Sequence, residues 1–252
     1  MTSTRGTTGK LISSAPDCPP EAPSLTLAVV VPTLNEEPVL PGLLTSLRSQ
    51  SHPAERIIVA DGGSNDGTVS IARQAGAEVV VASNRGRGGQ VAAALAKATE
   101  DVVLVAHADM LLPSQALESV RRSLAKRSDS PGGCLGHRFD QASLVLKLVE
   151  WCDRRRARRG ESYGDQAQFF RRQALQSVGG FPDQPIMEDV ELSRRLRLLG
   201  TPLYLDVPVT VSARRFVHEA WWKVLWRNRS LRRRYRREGR AACAELYERY
   251  YH

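Results

Sequence analysis

The chain has 252 residues, 42% hydrophobic and 25% charged, enough for one substantial core or two small ones and ordinary for a soluble globular protein. Its formal net charge is +9, and residues 214–240 hold eleven Lys+Arg against two Asp+Glu, so the basic excess belongs to that one segment and the rest of the chain balances. No apolar run reaches eighteen residues, which excludes a transmembrane helix, and the basic start at Met1 to Lys10 leads into no apolar stretch of the kind a secretory signal needs.

Residues 1–24 are rich in Ser, Thr, Pro and Gly, and the expectation for them is a disordered extension. Order should begin near residue 25. LAVVV (27–31) is an apolar run ending at Pro32, read as a buried strand; a helix follows over 36–50. RIIVA (56–60) is a second strand ending at Asp61, and 68–75 a second helix closed by Gly76. EVVVA (78–82), a small-residue helix over 88–98, VVLVA (102–106) and a helix over 114–126 continue the alternation. Strands apolar throughout and separated by helices predict a mainly parallel sheet covered on both faces. After Pro131 the pattern loosens. A strand is expected over 133–139, a helix over 142–158, a polar loop at 163–166 and a helix over 188–199 ended by Gly200, with short strands at 203–205 and 209–211. Cys18, Cys134, Cys152 and Cys243 are isolated, without CxxC spacing or nearby histidine, which points to a reducing compartment and away from disulfides or a zinc site.

In a parallel sheet, ligands bind beyond the carboxyl ends of the strands, so the polar clusters there carry the argument. The first is Pro32-Thr33-Leu34-Asn35-Glu36-Glu37; an ordinary helix cap would produce the same letters. The second is Asp61-Gly62-Gly63-Ser64-Asn65-Asp66-Gly67-Thr68, a glycine-rich turn whose Asp61, at a strand end, would point a carboxylate into the crevice toward a ribose or base edge. The third, Asn84-Arg85-Gly86-Arg87-Gly88-Gly89-Gln90, suits either a phosphate or a flexible basic loop, and alone it reads as the loop. The fourth is His107-Ala108-Asp109, where a strand-end carboxylate suits Mg²⁺ or Mn²⁺ bridging a diphosphate.

Together these clusters resemble the family 2 inverting glycosyltransferases of the GT-A fold. The resemblance rests on PTLNEE (32–37), DGGSNDGT (61–68) and HAD (107–109) in order after successive strands, then GDQAQFFRRQALQSVGGF (164–181) and MEDVELSRRLRLLG (187–200). HAD, YGDQ, MEDVELSRRL and SARR are similar to a bacterial subgroup labelled arsenosugar-biosynthesis or radical-SAM/selenodomain-associated glycosyltransferases. The resemblance implies a GT-A domain over 25–216, a nucleoside-diphosphate-sugar donor, most commonly UDP-linked, and an acceptor it does not identify. Thr33, Glu36 and Asp61 would contact the nucleoside, with Pro32, Asn35, Gly63, Arg85, Arg87, His107 and Ala108 completing the donor side. Asp109 would hold the divalent cation, although the first acidic position of the DxD-like motif is His107 here. Asp189 of the Glu188-Asp189 pair would be the base; helix-stabilising acids are the plain alternative. Tyr163, Asp165 and Gln166 are expected on the acceptor side, or as a loop satisfying its own backbone, and Arg214 and Arg215 near the diphosphate, or on a solvated basic face.

Residues 217–252 form a basic, tryptophan-rich helical segment. Trp221, Trp222 and Trp226 among arginines suit an anionic membrane surface through 218–240, or a helix that packs its tryptophans on the catalytic domain; the second is the plainer expectation. A cytoplasmic protein, peripheral to the membrane at most, is expected. No GxGxxG follows the first strand, against a dinucleotide oxidoreductase. A nucleic-acid module would leave the strand-end acids unexplained, so no nucleic acid is expected. A sugar-nucleotide nucleotidyltransferase, the nearest rival, would show a glycine- and lysine/arginine-rich signature in place of PTLNEE. A non-catalytic protein that binds a nucleotide sugar, a membrane or a nucleic acid is the remaining alternative.

Overall fold

The computed structural model describes residues 25–82, 86–214, 216 and 219–251. The expected extension over 1–24, together with Arg85 and Arg215, lies outside the described residues.

Strand β1 (Leu27–Thr33) is buried along its whole length. Leu27, Val29 and Val31 enter one core with Leu40, Leu43 and Leu47 of α1 (Leu40–Arg48) and Leu117, Val120 and Leu124 of α4 (Ala116–Lys126). Ala28 and Val30 enter a second core with Val91 and Ala94 of α3 (Gly86–Leu95), Leu175 of α6 (Arg172–Ser177) and Leu192 and Leu196 of α7 (Glu188–Leu196). Burial on two faces is why the run is apolar throughout and does not alternate.

The sheet adds β2 (Arg56–Asp61), β3 (Glu78–Val81), β4 (Val102–Val105), β5 (Met110–Leu111), β6 (Gly132–Phe139), β7 (Gln168–Arg171) and β8 (Leu203–Val211), in the order β3-β2-β1-β4-β7-β6-β8-β5. Pairing is parallel through β3-β2-β1-β4 and between β6 and β8; β7 runs antiparallel to both β4 and β6, and β5 antiparallel to β8. Helix α2 (Thr68–Gln74) follows β2, and α5 (Leu144–Ala157) follows β6. The parallel half therefore delivers the ends of β1, β2 and β4 to one edge, and antiparallel β7 hands the chain on toward α7 beside them.

Some expectations need correction. Helix α1 starts at Leu40, because residues 36–39 form a turn in which Glu36 O accepts from the Val39 and Leu40 N–H groups. The two short strands expected over 203–211 are one strand, β8, whose register against β6 shifts at Leu135/Gly136. The C-terminal helix α8 (Trp221–Glu238) does not pack through its tryptophans. Its buried residues are Val224, Leu231 and Tyr235, a single stripe at helical spacing, and Leu231 and Tyr235 meet Ile186 and Met187 just before α7. Trp221, Trp222 and Trp226 are left exposed. Tyr235 Oη donates to Glu191 Oε2 at 3.1 Å, pinning α8 to α7. After a short 3₁₀ turn, α9 (Cys243–Tyr251) adds Cys243 and Leu246 to the same cluster. Cys134, Cys152 and Cys243 are free thiols.

Candidate active site

The loops after β1 and β2 are built side by side because Thr33 and Asp61 are paired across the two strands. Asn35 takes a left-handed backbone with φ of 54°, its N–H donates to Ser64 Oγ at 2.9 Å, and its Oδ1 accepts from Asn65 N–H at 3.0 Å. Glu36 N–H donates to Thr68 Oγ1, and Gly67 N–H donates to Glu37 Oε2 at 2.7 Å. Asp61 departs from expectation. Its carboxylate is buried and turned into its own loop, accepting from the Gly63 and Ser64 N–H groups, from Ser64 Oγ and from Thr33 Oγ1. A strand-end carboxylate beside two consecutive unpaired N–H groups is satisfied locally before it reaches a ligand.

The described part of the third cluster opens α3. A Cβ at Gly88 would stand 2.2 Å from Gln184 O and 2.5 Å from Pro182 O, so its missing side chain lets α3 lie against the 182–185 segment. That close approach accounts for glycine at this position. Arg87, beside it, extends its Nε to 3.0 Å from Glu188 Oε1.

His107 and Asp109 stand in a turn between β4 and β5, with Ala108 buried between them. Arg214, on the segment after β8, brings Nη2 to 3.5 Å from Asp109 Oδ2 and 3.6 Å from Glu36 Oε2. The late arginine thus joins the first and fourth clusters in space. Asp109 offers a single carboxylate. Among the described residues the one grouping of three metal-capable side chains, His137, Asp153 and Asp165, does not include it. The lone carboxylate of Asp109 fits a hard cation that completes its shell from water and substrate phosphate, as Mg²⁺ and Mn²⁺ do.

Helix α7 begins at Glu188 after Met187, whose φ is 63°. Asp189 Oδ1 accepts from Val190 N–H at 2.7 Å, and Oδ2 accepts from Gly164 N–H at 2.7 Å. Two short hydrogen bonds leave the carboxylate one orientation, with further lone pairs on both oxygens. Glu188 is buried with Oε2 unbonded, and burial pushes its carboxyl up to about 7; Arg87 opposes the shift and Asp189 adds to it.

One cavity collects these groups. Arg87, His107, Asp109, Tyr163, Asp165 and Asp189 line it, with Val149 and Asp153 from α5 and Val224, Leu225 and Asn228 from α8 closing a side. Pro32 and Glu188 lie at a smaller space beneath, shared with His107 and Asp189. Tyr163 lies between two guanidiniums, Arg156 at 3.6 Å and Arg232 at 4.9 Å from its ring centroid. Gln166 is corrected: it is fully buried, its Oε1 accepts from Arg156 Nη2 and Tyr163 N–H, and it stands behind the wall, out of reach of an acceptor. Sequence reading missed His137, Asp153 and Arg156. Asp153 pairs with Arg156, His137 Nε2 is 3.6 Å from Asp153 Oδ2, and burial raises the Asp165 carboxyl. An Asp followed three residues later by Arg on an amphipathic helix carries no mark of a site, so no signal in the letters would have found them.

Comparison with known proteins bears on the fold and the family. The chain is similar to an uncharacterized glycosyltransferase of Mycobacterium tuberculosis, 35% identical over 103 residues, 41% of this chain and 45% of that protein. It is also similar to the 4,4'-diaponeurosporenoate glycosyltransferase of Staphylococcus haemolyticus, 38% identical over 109 residues, 40% of this chain and 29% of that one. It therefore spans less than half the length of these relatives. Among solved structures, the mannosyltransferase PcManGT of Pyrobaculum calidifontis in complex with GDP-Man and Mn²⁺ superposes with a TM-score of 0.63 at 22% identity, over 82% of this chain and 61% of that one. TarS 1-349 of S. aureus in complex with UDP-GlcNAc gives 0.60 at 17% identity, over 75% and 58%. These likenesses establish the GT-A-type fold. The family described as glycosyl transferase family 2 matches residues 28–175, more than half of the sequence, and the chain belongs to it.

Proposed function

We propose that this chain transfers a sugar from a nucleoside-diphosphate sugar, UDP-linked, to a hydroxyl or other nucleophilic acceptor, with inversion at the anomeric carbon. The observation that carries the reading is that Asp109 and Asp189 line one cavity together with Arg87 and Tyr163. In this reading the nucleoside lies against the joined loops at Thr33, Glu36 and Gly63, and the diphosphate reaches Asp109 and Arg214. A divalent cation held by Asp109 would supply charge stabilisation for the departing diphosphate. Asp189, fixed by the Gly164 and Val190 N–H groups, takes the acceptor's proton as the acceptor bonds to the anomeric carbon. The bond from that carbon to the diphosphate oxygen breaks with its electron pair, and the nucleoside diphosphate leaves. One base on the attacking side suffices for a single displacement. The HAD, YGDQ, MEDVELSRRL and SARR segments support placement in the arsenosugar- or selenodomain-associated subgroup.

The test is a screen of UDP-, GDP- and dTDP-sugars for nucleoside diphosphate release, with and without Mn²⁺, beside calorimetry of UDP binding. Release from a UDP-sugar that needs Mn²⁺, and metal-dependent UDP affinity that Asp109→Ala abolishes, are expected. Metal-dependent affinity unchanged in that variant overturns the role of Asp109, and release confined to GDP- or dTDP-sugars overturns the choice of UDP.

A further inference from the structure

Tryptophan carries a large apolar area and is highly buried on average in globular proteins. This chain has four tryptophans, and none of them is in a core. Trp151 is 55% exposed, Trp221 48%, Trp222 56% and Trp226 70%. Trp151 lies on α5 and the other three on the first turns of α8. On α5, Leu144 at 87% and Leu148 at 60% exposure precede Trp151 at i, i+4 and i+7, one stripe along the helix. Of the eleven large apolar side chains exposed among the described residues, these two helices carry six. Single exposed leucines need no explanation, but six large apolar groups on two helices that wall the same cavity do.

The charge around them is predominantly positive, although α5 also carries Glu150 and Asp153, and Arg227, Arg234 and Arg236 of α8 are paired with acidic side chains. Helix α8 holds eight Lys+Arg against one acidic residue, Glu238. On α5, Lys147, Arg154 and Arg155 flank the apolar stripe. Cations lie over the exposed rings: Arg155 Cζ is 5.7 Å from the Trp151 centroid and Lys223 Nζ is 5.6 Å from that of Trp222. Indole rings favour the boundary between hydrocarbon and water, and basic side chains beside them meet lipid phosphates. No helix among the described residues is long and apolar enough to cross a membrane, so such a helix would lie on the surface.

We propose that the outer sides of α5 and α8 dock the protein on an anionic lipid bilayer, with Leu144, Leu148 and the four tryptophans entering the headgroup region and the arginines neutralising the phosphates. A nucleic acid would account for the arginines but not for Leu144 and Leu148. A protein partner would account for the apolar residues but does not call for a surplus of positive charge on both helices. A bilayer accounts for both features at once. Because Val149 and Asp153 of α5 and Val224 and Leu225 of α8 wall the cavity that contains Asp189, docking holds that cavity at the bilayer surface. Access to a membrane-borne acceptor is the part of this inference that rests on the transferase reading; the docking itself does not.

The test uses the full chain and vesicles, with no substrate, so its failure is separable from failure of the transferase reading. Sedimentation is measured with vesicles of phosphatidylcholine alone and with about one-third phosphatidylglycerol, at low and high salt. The chain is expected to bind the anionic vesicles at low salt, to be released by salt, and to shift its tryptophan emission to shorter wavelength on binding. Two variants divide the surface: Trp221→Ser/Trp222→Ser/Trp226→Ser on α8 and Leu144→Ser/Leu148→Ser/Trp151→Ser on α5. Each should weaken binding by about tenfold or more, since interfacial affinity scales with the apolar area buried. All six positions are exposed, and circular dichroism with thermal unfolding verifies that both variants fold. No binding to anionic vesicles overturns the proposal, and so does binding that neither variant weakens. A self-associated chain that ignores vesicles and that either variant dissociates assigns the surface to a second copy and also overturns it. Salt-sensitive binding of RNA without binding of vesicles does the same.

Discussion

The backbone N–H of Gly164 donates to Asp189 Oδ2 at 2.7 Å, and a Cβ on Gly164 would stand 2.7 Å from His107 Nε2 and 3.4 Å from the same Asp189 oxygen. Three segments far apart in the chain meet at that one α-carbon. Gly164→Ala must either displace His107 or draw the N–H away from Asp189. Displacing a reacting group by about 1 Å costs up to roughly a hundredfold in rate. Turnover should therefore fall by roughly ten- to a hundredfold; nucleoside diphosphate affinity is kept where the N–H moves away from Asp189 and falls where His107, two residues from Asp109, is displaced. Steady-state turnover beside calorimetry reads the two effects, and wild-type turnover in the variant would remove Gly164 from the positioning of Asp189.

Asp189 and Glu188 are adjacent in sequence but differ in setting. Asp189 faces the cavity, whereas Glu188 is buried against Arg87. Asp189→Asn keeps the shape and removes the basicity, so turnover should drop by roughly a hundredfold or more while donor and metal binding persist. Glu188→Gln should cost turnover less, since its carboxyl holds Arg87 and does not reach the acceptor. The measurement is turnover and donor affinity for both variants. Near-wild-type transfer by Asp189→Asn would shift the role of base to Asp165, which lines the same cavity.

Glu188 also makes stability depend on pH. Its carboxyl titrates near 4.5 in an unfolded chain and is pushed up to about 7 here, mainly by burial. The folded state binds the proton more tightly, so this contribution is full below about pH 4.5 and is lost as pH rises through 7. The loss is of order 3 kcal/mol at most, at about 1.4 kcal/mol per pKa unit, and Arg87 limits it. Denaturant unfolding from pH 5 to 8 should show wild type losing stability across that window, and Glu188→Gln should flatten the slope. Equal slopes for the two proteins would place the titration elsewhere.

How far the letters reveal this fold depends on what each residue answers to. The runs 27–31, 57–60 and 102–106 are legible because burial on both faces favours apolar residues throughout. Strand β7 is not legible: four residues, QFFR, give no periodicity, and their strand state is decided by β4 and β6 on either side. The strand-end acids are visible as positions but not as orientations. Asp61 turns inward because two loop N–H groups reach it first, whereas Asp189 faces the cavity because Gly164 and Val190 hold it there. The glycines of GRGGQ suit a phosphate loop on paper, and the approach of Pro182 and Gln184 to Gly88 and of Pro185 to Gly86, which accounts for two of them, is visible only in the structure. Arg214 lies more than a hundred residues from Asp109 in sequence, so no local pattern foretells their 3.5 Å approach.

The attachment of α8 gives the last expected outcome. Tyr235 Oη donates to Glu191 Oε2, and Gln184 Nε2 donates to the same hydroxyl at 3.3 Å. Glu191 accepts from Arg194 and Arg195, and the Arg194 bonds before all else hold its carboxyl down at about 2. Its charge therefore persists over the whole neutral range, and its contribution is lost only as pH falls from about 4.5 toward 2. Tyr235→Phe removes the hydrogen bond to charged Glu191, worth about 1.5–3 kcal/mol, together with the one accepted from Gln184, and leaves the apolar contacts with Ile186 and Met187 in place. Helix α8 should then open locally more often while the sheet does not, because Leu231 and Tyr235 are its main anchors on α7's leading segment. Amide exchange at neutral pH should rise in α8 by roughly fivefold or more and stay unchanged in β1. Turnover should fall a few-fold, since Leu231 and Arg232 line the cavity beside Asp189. Exchange that rises equally in α8 and β1 would mean that α8 is part of one cooperative unit with the sheet, not a wall hinged on Tyr235.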